Sequence, residues 1–556
     1  MELSWFKKGT IYQIYPRSFN DTNNDGIGDL RGIIEKLDYL KSLYVDILWL
    51  SPIFSSPNDD NGYDISDYCA IMPEFGTMED FDELLRETHK RGMKLVLDLV
   101  ANHCSDEHVW FEEAKKSKKN PYRDYFHWRK PAPDGGPPNN WKSFFGGSAW
   151  EYDKPSGEYY LHLFTKKQPD LNWENQKVRQ EIYSAMRFWL DKGVDGFRMD
   201  VIPLISKREE YPDAPNVGFR QIIEDVYANG PKVHDYLKEM NKEVIDHYDA
   251  FSLAEGVGIN DKNAGLYINH DRKELDMLYH FDILECTIVN GKFEEATIFD
   301  LTNMKSIFKK WRDAVHEKGW LANALGNHDF ARMISRFGDD DKYWSESAKM
   351  LFMMQATQNG TLNIYQGDEI GMTNIVLDSI EEVRDVQSLN FYNENLQSQK
   401  YSIGYALERI NKEGRDNART PVQWSDEING GFSTHKPWLK INSNYNKINV
   451  KNQDQDKNSI LNFYRRLLKT RKQYDVFVYG DFEELEFDNP NVYIYKKTYG
   501  DEKILVALNF STHDTAFAHF NAISEIEVLL NNYQELLLND GEAILKPYQG
   551  IILKID

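Results

Sequence analysis

Gly193-Val194-Asp195-Gly196-Phe197-Arg198-Met199-Asp200 reads as a short buried strand that ends on a carboxylate. Apolar Val194, Phe197 and Met199 suit a strand covered on both faces. Gly193 and Gly196 let neighbouring backbone pack closely. Arg198 and Asp200 stand two apart, so on a strand their side chains point the same way. A guanidinium beside a carboxylate favours the ionised form, which is the form a carboxylate nucleophile uses. A structural ion pair at a strand end has the same signature, so the stretch alone leaves both readings open.

Working outward, short apolar runs alternate with amphipathic stretches. Thr10–Pro16, Val45–Leu50, Lys94–Val100, Val194–Met199, Phe251–Ala254, Leu278–Ile283, Leu321–Leu325 and Thr361–Tyr365 read as strands. Between them, Leu30–Leu43, Met78–Lys90, Val178–Leu190, Val233–Ile245, Ser345–Gln358 and Ser459–Lys472 carry apolar residues on a 3.6 period and read as helices. Eight strands alternating with helices predict an α/β fold of the TIM (β/α)₈ type. The pattern breaks after the third strand. Residues 104–170 are aromatic, Pro- and Gly-rich, which predicts an inserted loop-rich subdomain. The barrel then comprises residues 1–103 and 171–473. From 474 to 556 the strand-like runs Asn491–Lys497, Lys503–Asn509, Glu525–Leu530 and Gly550–Ile555 lack helices between them, which predicts a small antiparallel β-sandwich. Asp339–Asp341 and Asn442–Asn458 read as surface loops.

The 556 residues carry 66 basic and 89 acidic side chains, a net charge of −23. Such a chain repels nucleic acid and anionic lipid, and the expected partner is a small neutral molecule, met by a monomer. Three cysteines, Cys69, Cys104 and Cys286, are widely spaced and form no CxxC motif, which suits a reducing compartment. No run approaches the length of a membrane span. Met1–Lys8 has no leader character. These features predict a cytoplasmic location.

In a barrel of this kind, polar groups at the carboxyl ends of strands form the site. The third strand supplies Asp98 and, beyond it, Asn102-His103. The fourth supplies Arg198 and Asp200. The fifth supplies Ala254-Glu255-Gly256, and the seventh Gly326-Asn327-His328-Asp329. These four motifs, in this order, resemble the α-amylase superfamily of retaining glycoside hydrolases, and the likeness covers nearly the whole chain. The resemblance implies Asp200 as nucleophile, Glu255 as acid/base and Asp329 as the carboxylate that supports the transition state. Retention needs two carboxyl groups about 5–5.5 Å apart, the second acting first as acid and then as base. Glu255 sits among Leu253, Ala254 and Val257, an apolar setting of the kind that raises a general acid's pKa.

The same resemblance implies that His103, His328 and Arg198 serve the sugar bound next to these carboxylates. In Asn61-Gly62-Tyr63-Asp64 it implies that Tyr63 stacks under the non-reducing sugar and that Asp60 or Asp64 holds the closed end. The loop Gly414-Arg415-Asp416-Asn417-Ala418-Arg419-Thr420-Pro421-Val422-Gln423-Trp424 and the segment Gln168-Pro169-Asp170-Leu171-Asn172 resemble the oligo-1,6-glucosidase group. Arg415 is the expected partner of Asp329 or the substrate, ahead of Arg419. The group implies an exo-acting pocket for isomaltose and short isomalto-oligosaccharides. Val201, after the nucleophile, accompanies α-1,6 specificity in this group.

Asp21-Thr22-Asn23-Asn24-Asp25-Gly26-Ile27-Gly28-Asp29 places oxygen ligands at alternate positions with Gly at the sixth, a pattern suited to calcium. Gly32 stands where an EF-hand needs Glu. The resemblance implies one structural calcium, or magnesium, held by Asp21, Asn23, Asp25, Asp29 and the Ile27 carbonyl, with no organic cofactor. Two departures from the family pattern stand out: Ala254 where Gly precedes the acid/base, and Val109 where Pro follows His108. Trehalose-6-phosphate hydrolases share the motifs but need extra cations, and Lys207-Arg208, read as helix surface, is the only obvious nearby pair. Sucrose isomerases carry an Arg-rich loop, whereas only Arg332 and Arg336 stand between 325 and 345. Alpha-1,4-glucosidases are a further alternative. Non-catalytic relatives that form transporter ectodomains have lost the carboxylates and carry a membrane span, and this chain does neither.

Overall fold

The computed structural model describes residues 4–289, 292–296, 298–315, 318–517, 526–539 and 542–556. The first three residues of the amino-terminal stretch and Glu525 of the expected strand lie outside them. Eight parallel strands form the central sheet: β1 (Thr10–Ile14), β2 (Ile47–Leu50), β3 (Lys94–Val100), β4 (Gly196–Asp200), β5 (Phe251–Gly256), β6 (Met277–His280), β7 (Ala322–Asn323) and β8 (Thr361–Tyr365). Their order is β6-β5-β4-β3-β2-β1-β8-β7. A parallel bridge from Leu278 to Leu321 joins the two ends, so the sheet closes into the expected barrel.

Local chemistry sets the ends of these elements. Thr77 and Asp80 form a reciprocal capping box that starts the helix Met78–Lys90. The helix Gln176–Lys192 stops at Gly193, whose φ of 107° suits a residue without a side chain, and the chain then enters β4. A Cβ on Gly196 would lie 2.3 Å from the Phe251 carbonyl oxygen, so glycine sets how closely β4 and β5 approach. Apolar residues of the strands and of the surrounding helices form one continuous core.

Several boundaries differ from expectation. Leu30–Leu43 is two helices, Leu30–Glu35 and Leu37–Ser42, broken at Lys36, yet Ile33, Leu37, Leu40 and Leu43 are still buried. β6 stops at His280, and Phe281–Leu284 is helical instead. Asn442–Asn458 is not a plain surface loop. Asn449 is buried and caps a helix over Val450–Gln455, and Asn442 is buried with its amide on the Asn374 carbonyl. Asparagine favours caps as much as loops, so composition could not separate the two.

Between His103 and Asp170 the chain leaves the barrel, and the two residues pair as an antiparallel bridge. Inside that excursion lie the helix Val109–Lys116 and a three-stranded sheet of Trp128–Arg129, Glu158–Leu161 and Trp150–Asp153. Val109 is the first residue of that helix, with His108 as its cap, and is more than half exposed. The missing Pro is thus a surface helix-start substitution. Beyond 474 lies a five-stranded antiparallel sheet ordered Asp481–Leu485, Val492–Tyr499, Glu502–Asn509, Gly550–Ile555, Ile526–Asn531, with a smaller three-stranded sheet beside it. Among the described residues no helix is long and apolar enough to cross a membrane, and Cys69, Cys104 and Cys286 are all free.

Candidate active site

Strand register gathers the polar residues. Asp98 pairs with Arg198 and Val100 with Asp200; Leu253 pairs with Arg198, and Glu255 with Tyr279. Paired residues of a parallel ladder share a face, so Asp98, Arg198, Asp200, Glu255 and Tyr279 all turn into the barrel. Ala254 pairs with Met199 on the opposite face. Its methyl group therefore packs in the core between barrel and helices and does not crowd Glu255's partner.

Arg198, fully buried, is the hub. Its Nη1 lies 2.7 Å from both Asp98 Oδ1 and Asp200 Oδ1, and its Nη2 lies 2.7 Å from Glu255 Oε1. The Tyr279 hydroxyl accepts from Arg198 at 2.8 Å and donates to Glu255 Oε1 at 3.0 Å. The Val201 amide donates to Glu255 Oε2 at 2.9 Å. Asp98 also accepts from Trp49 Nε1 at 3.2 Å and from the Tyr63 hydroxyl at 3.1 Å.

This crowding corrects the expectation for Asp200. Burial pushes its carboxyl well above the usual range; Arg198 pulls it down, and Glu255 and Asp98 push it further up. Asp98 is raised to about 6, again by burial first and against Arg198. The sequence reading counted one cation and one carboxylate. The fold puts three carboxylates on that cation and removes water, so a single guanidinium does not balance the group.

A second ionic cluster is built around Asp329 and Arg415. Asp329 Oδ1 lies 2.9 Å from Arg419 Nη2 and 3.4 Å from Arg415 Nη1. Arg415 also holds Asp385 at 2.7 Å and Asp60 at 3.1 Å. Burial raises the Asp329 carboxyl, but His328, Arg415, Arg419 and Arg198 together outweigh it and hold it well below the usual range. Asp60 goes the other way, with burial prevailing over Arg415 and Arg419. Gln168 Nε2 spans Asp60 Oδ2 at 3.2 Å and His103 Nε2 at 3.3 Å. The ring of Tyr63 stacks flat on His328, 5.1 Å between centroids.

Burial lowers His103 to about 4 and His328 to about 3. Both are neutral at neutral pH, with one N–H each. Gln13 Nε2 lies 2.8 Å from His328 Nδ1. An amide NH₂ can only donate, so the His328 proton sits on Nε2, which faces Asp329 Oδ2 at 3.2 Å. Asp64 accepts from the Asp59 and Asp60 amides and from Ser56, so it fixes the turn that presents Asp60.

Of these groups, Asp60, Tyr63, His103, Asp200, Glu255, His328, Asp329 and Arg415 line one cavity of about 150 Å³. Phe144, Phe145 and Phe164 of the 104–170 segment form one wall. Val201, Val257, Ile223, Phe281 and Phe330 form another, and Glu285, Glu413 and Gln387 lie on the lining as well. All nine residues read from the sequence as serving substrate or catalysis belong to this assembly, with Arg198 beneath the cavity floor. Asp385, Tyr279 and the aromatic wall were not singled out in the sequence, Gln168 was noted only as part of a group signature, and Arg419 was ranked too low. Arg415 caps the single turn Asp416–Arg419 and Arg419 ends it, four residues on, so the two share a face. That spacing was the available signal.

Lys207 is not helix surface. It is buried, with Nζ 2.7 Å from Asp170 Oδ2 and 2.7 Å from Asn102 Oδ1. Arg332 and Arg336 are buried too, donating to the Gln366 and Ala418 carbonyls and to Thr287 respectively. In the loop 21–29, Asp21 accepts from the Asn24 and Gly26 amides and Asp25 from the Ile27 amide. Asp29 accepts from the Gly32 amide and caps the helix Leu30–Glu35. The donors are all oxygen, as a hard cation requires. Among the described residues, however, no three Asp, Glu, His or Cys side chains are gathered as a metal site.

Residues 13–480 match the model of the α-amylase catalytic domain. The chain is 49% identical over 559 residues to an oligo-1,6-glucosidase of Bacillus cereus, and 50% identical over 563 residues to one of Parageobacillus thermoglucosidasius, each alignment covering 100% of both chains. The crystal structure of isomaltulose synthase from Klebsiella sp. LX3 superposes with a TM-score of 0.97 at 42% identity, covering 100% of both chains.

Proposed function

The chain belongs to the α-amylase family of glycoside hydrolases, and from that premise we propose that it is a retaining, exo-acting oligo-1,6-glucosidase. Its substrates are isomaltose and short isomalto-oligosaccharides, cut at the non-reducing end. The observation that carries the reading is Arg198 holding Asp200 and Glu255 on its two terminal nitrogens, 2.7 Å each. Two carboxylates sharing one guanidinium support double displacement, which uses a pair about 5–5.5 Å apart.

In the first step Asp200 attacks the anomeric carbon and Glu255 gives its proton to the glycosidic oxygen, releasing the leaving sugar. In the second, Glu255 takes a proton from water, whose oxygen displaces Asp200. Asp329, kept ionised by the cations around it, binds sugar hydroxyls and supports the oxocarbenium-like charge. His328 holds the same sugar as a neutral donor, and His103 lines the cavity beside it. Tyr63 packs against it, and Asp60 with Arg415 closes the end. That closure supports removal of one terminal glucose per event. The α-1,6 preference rests on Val201 in the cavity lining and on the relatives' names.

The reading includes a cytoplasmic monomer without organic cofactor. Its loop 21–29 takes a calcium or magnesium ion through Asp21, Asn23, Asp25, Asp29 and the Ile27 carbonyl, with a role in stability only. The decisive experiment is a set of initial rates on isomaltose, maltose, sucrose and trehalose-6-phosphate, with Asp200→Asn as control. Isomaltose is expected to be fastest, and the variant to lose about 10⁴-fold or more. A preference for trehalose-6-phosphate would displace the linkage assignment, and full activity in Asp200→Asn would displace the nucleophile.

A further inference from the structure

The cavity is asymmetric in charge. At its closed end Arg415 faces Asp60, Asp329 and Asp385, so its guanidinium is fully committed. Away from the residues that hold the sugar, the lining is apolar except for Glu285, which follows β6, together with Glu413 and Gln387. This is the side where the leaving sugar must sit, because the glycosidic oxygen is protonated from Glu255. Among the described lining residues, Arg415 is the only cation.

The cations nearest the two carboxylates stand back from the cavity lining. Arg220 is 3.6 Å from Glu285 and closer to Asp282. Arg409 is 3.4 Å and Arg336 4.0 Å from Glu413. Arg336 is buried, with Nη2 turned to Thr287. A phosphate or carboxylate on the leaving sugar would therefore meet two acidic side chains with no free cation behind them among the described residues, in a partly desolvated space where like charges repel strongly.

We propose that Glu285 and Glu413 form a charge filter at the leaving-group side of the cavity, which admits neutral and cationic leaving sugars and disfavours anionic ones. The proposal rests on the glucosidase reading above and narrows its substrate class. Burial pushes Glu285 up to about 7 against the pull of Arg220, so the filter is read at pH 8, where that carboxyl is ionised.

Three substrates with one α-1,6 bond and different charge test it: isomaltitol, the amine made by reductive amination of isomaltose, and the aldonate made by oxidising its reducing end. For the wild-type chain the aldonate is expected to show kcat/KM at least about tenfold below isomaltitol, with the amine no slower than isomaltitol. In Glu285→Gln, and separately in Glu413→Gln, the aldonate deficit shrinks while the isomaltitol rate serves as internal reference. Equal rates for aldonate and isomaltitol in the wild type overturn the proposal. So does an unchanged ratio in both variants. If isomaltitol is inert and maltitol is cleaved, the linkage reading fails instead, and the maltitol, maltonate and aminated-maltose series then decides the filter by the same ratios.

Discussion

The backbone amide of Val201 donates to Glu255 Oε2 at 2.9 Å, and Val201 makes that contact from a left-handed backbone of φ 35°, ψ 36°. A β-branched residue in that region is strained, by about 1–3 kcal/mol. The turn directly after Asp200 thus aims an N–H at the acid/base and places the valine side chain on the cavity lining. Val201→Thr keeps the branch and the amide but adds a hydroxyl. It is expected to lower the isomaltose-to-maltose ratio of kcat/KM by roughly tenfold. An unchanged ratio would remove Val201 from the specificity argument.

Arg198 contacts three carboxylates through a planar fork that an ammonium cannot reproduce. Arg198→Lys is expected to lower kcat by at least about 10²-fold. It also shifts the acid limb of the pH–rate profile. Asp200 must be ionised to attack, its carboxyl is already pushed up by burial, and Arg198 is the group pulling it down. Weakening that pull raises it further, so activity falls away at a higher pH on the acidic side. A pH–kcat/KM series with an acid limb that stays in place would show that Arg198 does not tune Asp200.

The barrel and the three central carboxylates were legible because each lies within a few residues of a strand that announces itself by apolar composition. What was missed comes from elsewhere. Asp385 caps the helix Val386–Ser398 and Glu413 ends the helix Ile403–Glu413, in a stretch whose helices were not read at all. Phe144, Phe145 and Phe164 lie in the 104–170 segment, where periodicity is absent. Lys207 was misread because a Lys-Arg pair looks like surface until the partner of Lys207, Asp170, is known to be buried with it. Local pattern carries strand and helix content, whereas the pairing of distant charges depends on register and closure.

The loop 21–29 gives a prediction independent of catalysis. An ion that binds only the folded chain, at 100 times its Kd, adds about 2.7 kcal/mol, or about 2 °C in melting temperature for a chain of this size. Calcium added after treatment with a chelator is expected to restore that shift in the wild type and not in Asp21→Asn combined with Asp25→Asn, with kcat on isomaltose altered little. Identical melting with and without calcium would mean that the loop is held by its own amide hydrogen bonds alone.

Lys207 supplies the last test, one of stability. Its Nζ binds Asp170 Oδ2 at 2.7 Å, Asn102 Oδ1 at 2.7 Å and the Leu204 carbonyl at 2.6 Å, with Lys207 and Asp170 both buried. Asn102 in turn holds Asp170 at 3.2 Å, next to the bridge that joins His103 to Asp170. Lys207→Met keeps the apolar stem and removes the charge, leaving Asp170 as an uncompensated buried anion, at a cost of about 3–5 kcal/mol. A lower melting temperature is expected, and the double variant Lys207→Met with Asp170→Asn is expected to recover part of the loss, since the stranded charge is gone. Melting of the single variant at the wild-type temperature would return Lys207 to the surface role that its sequence context suggests.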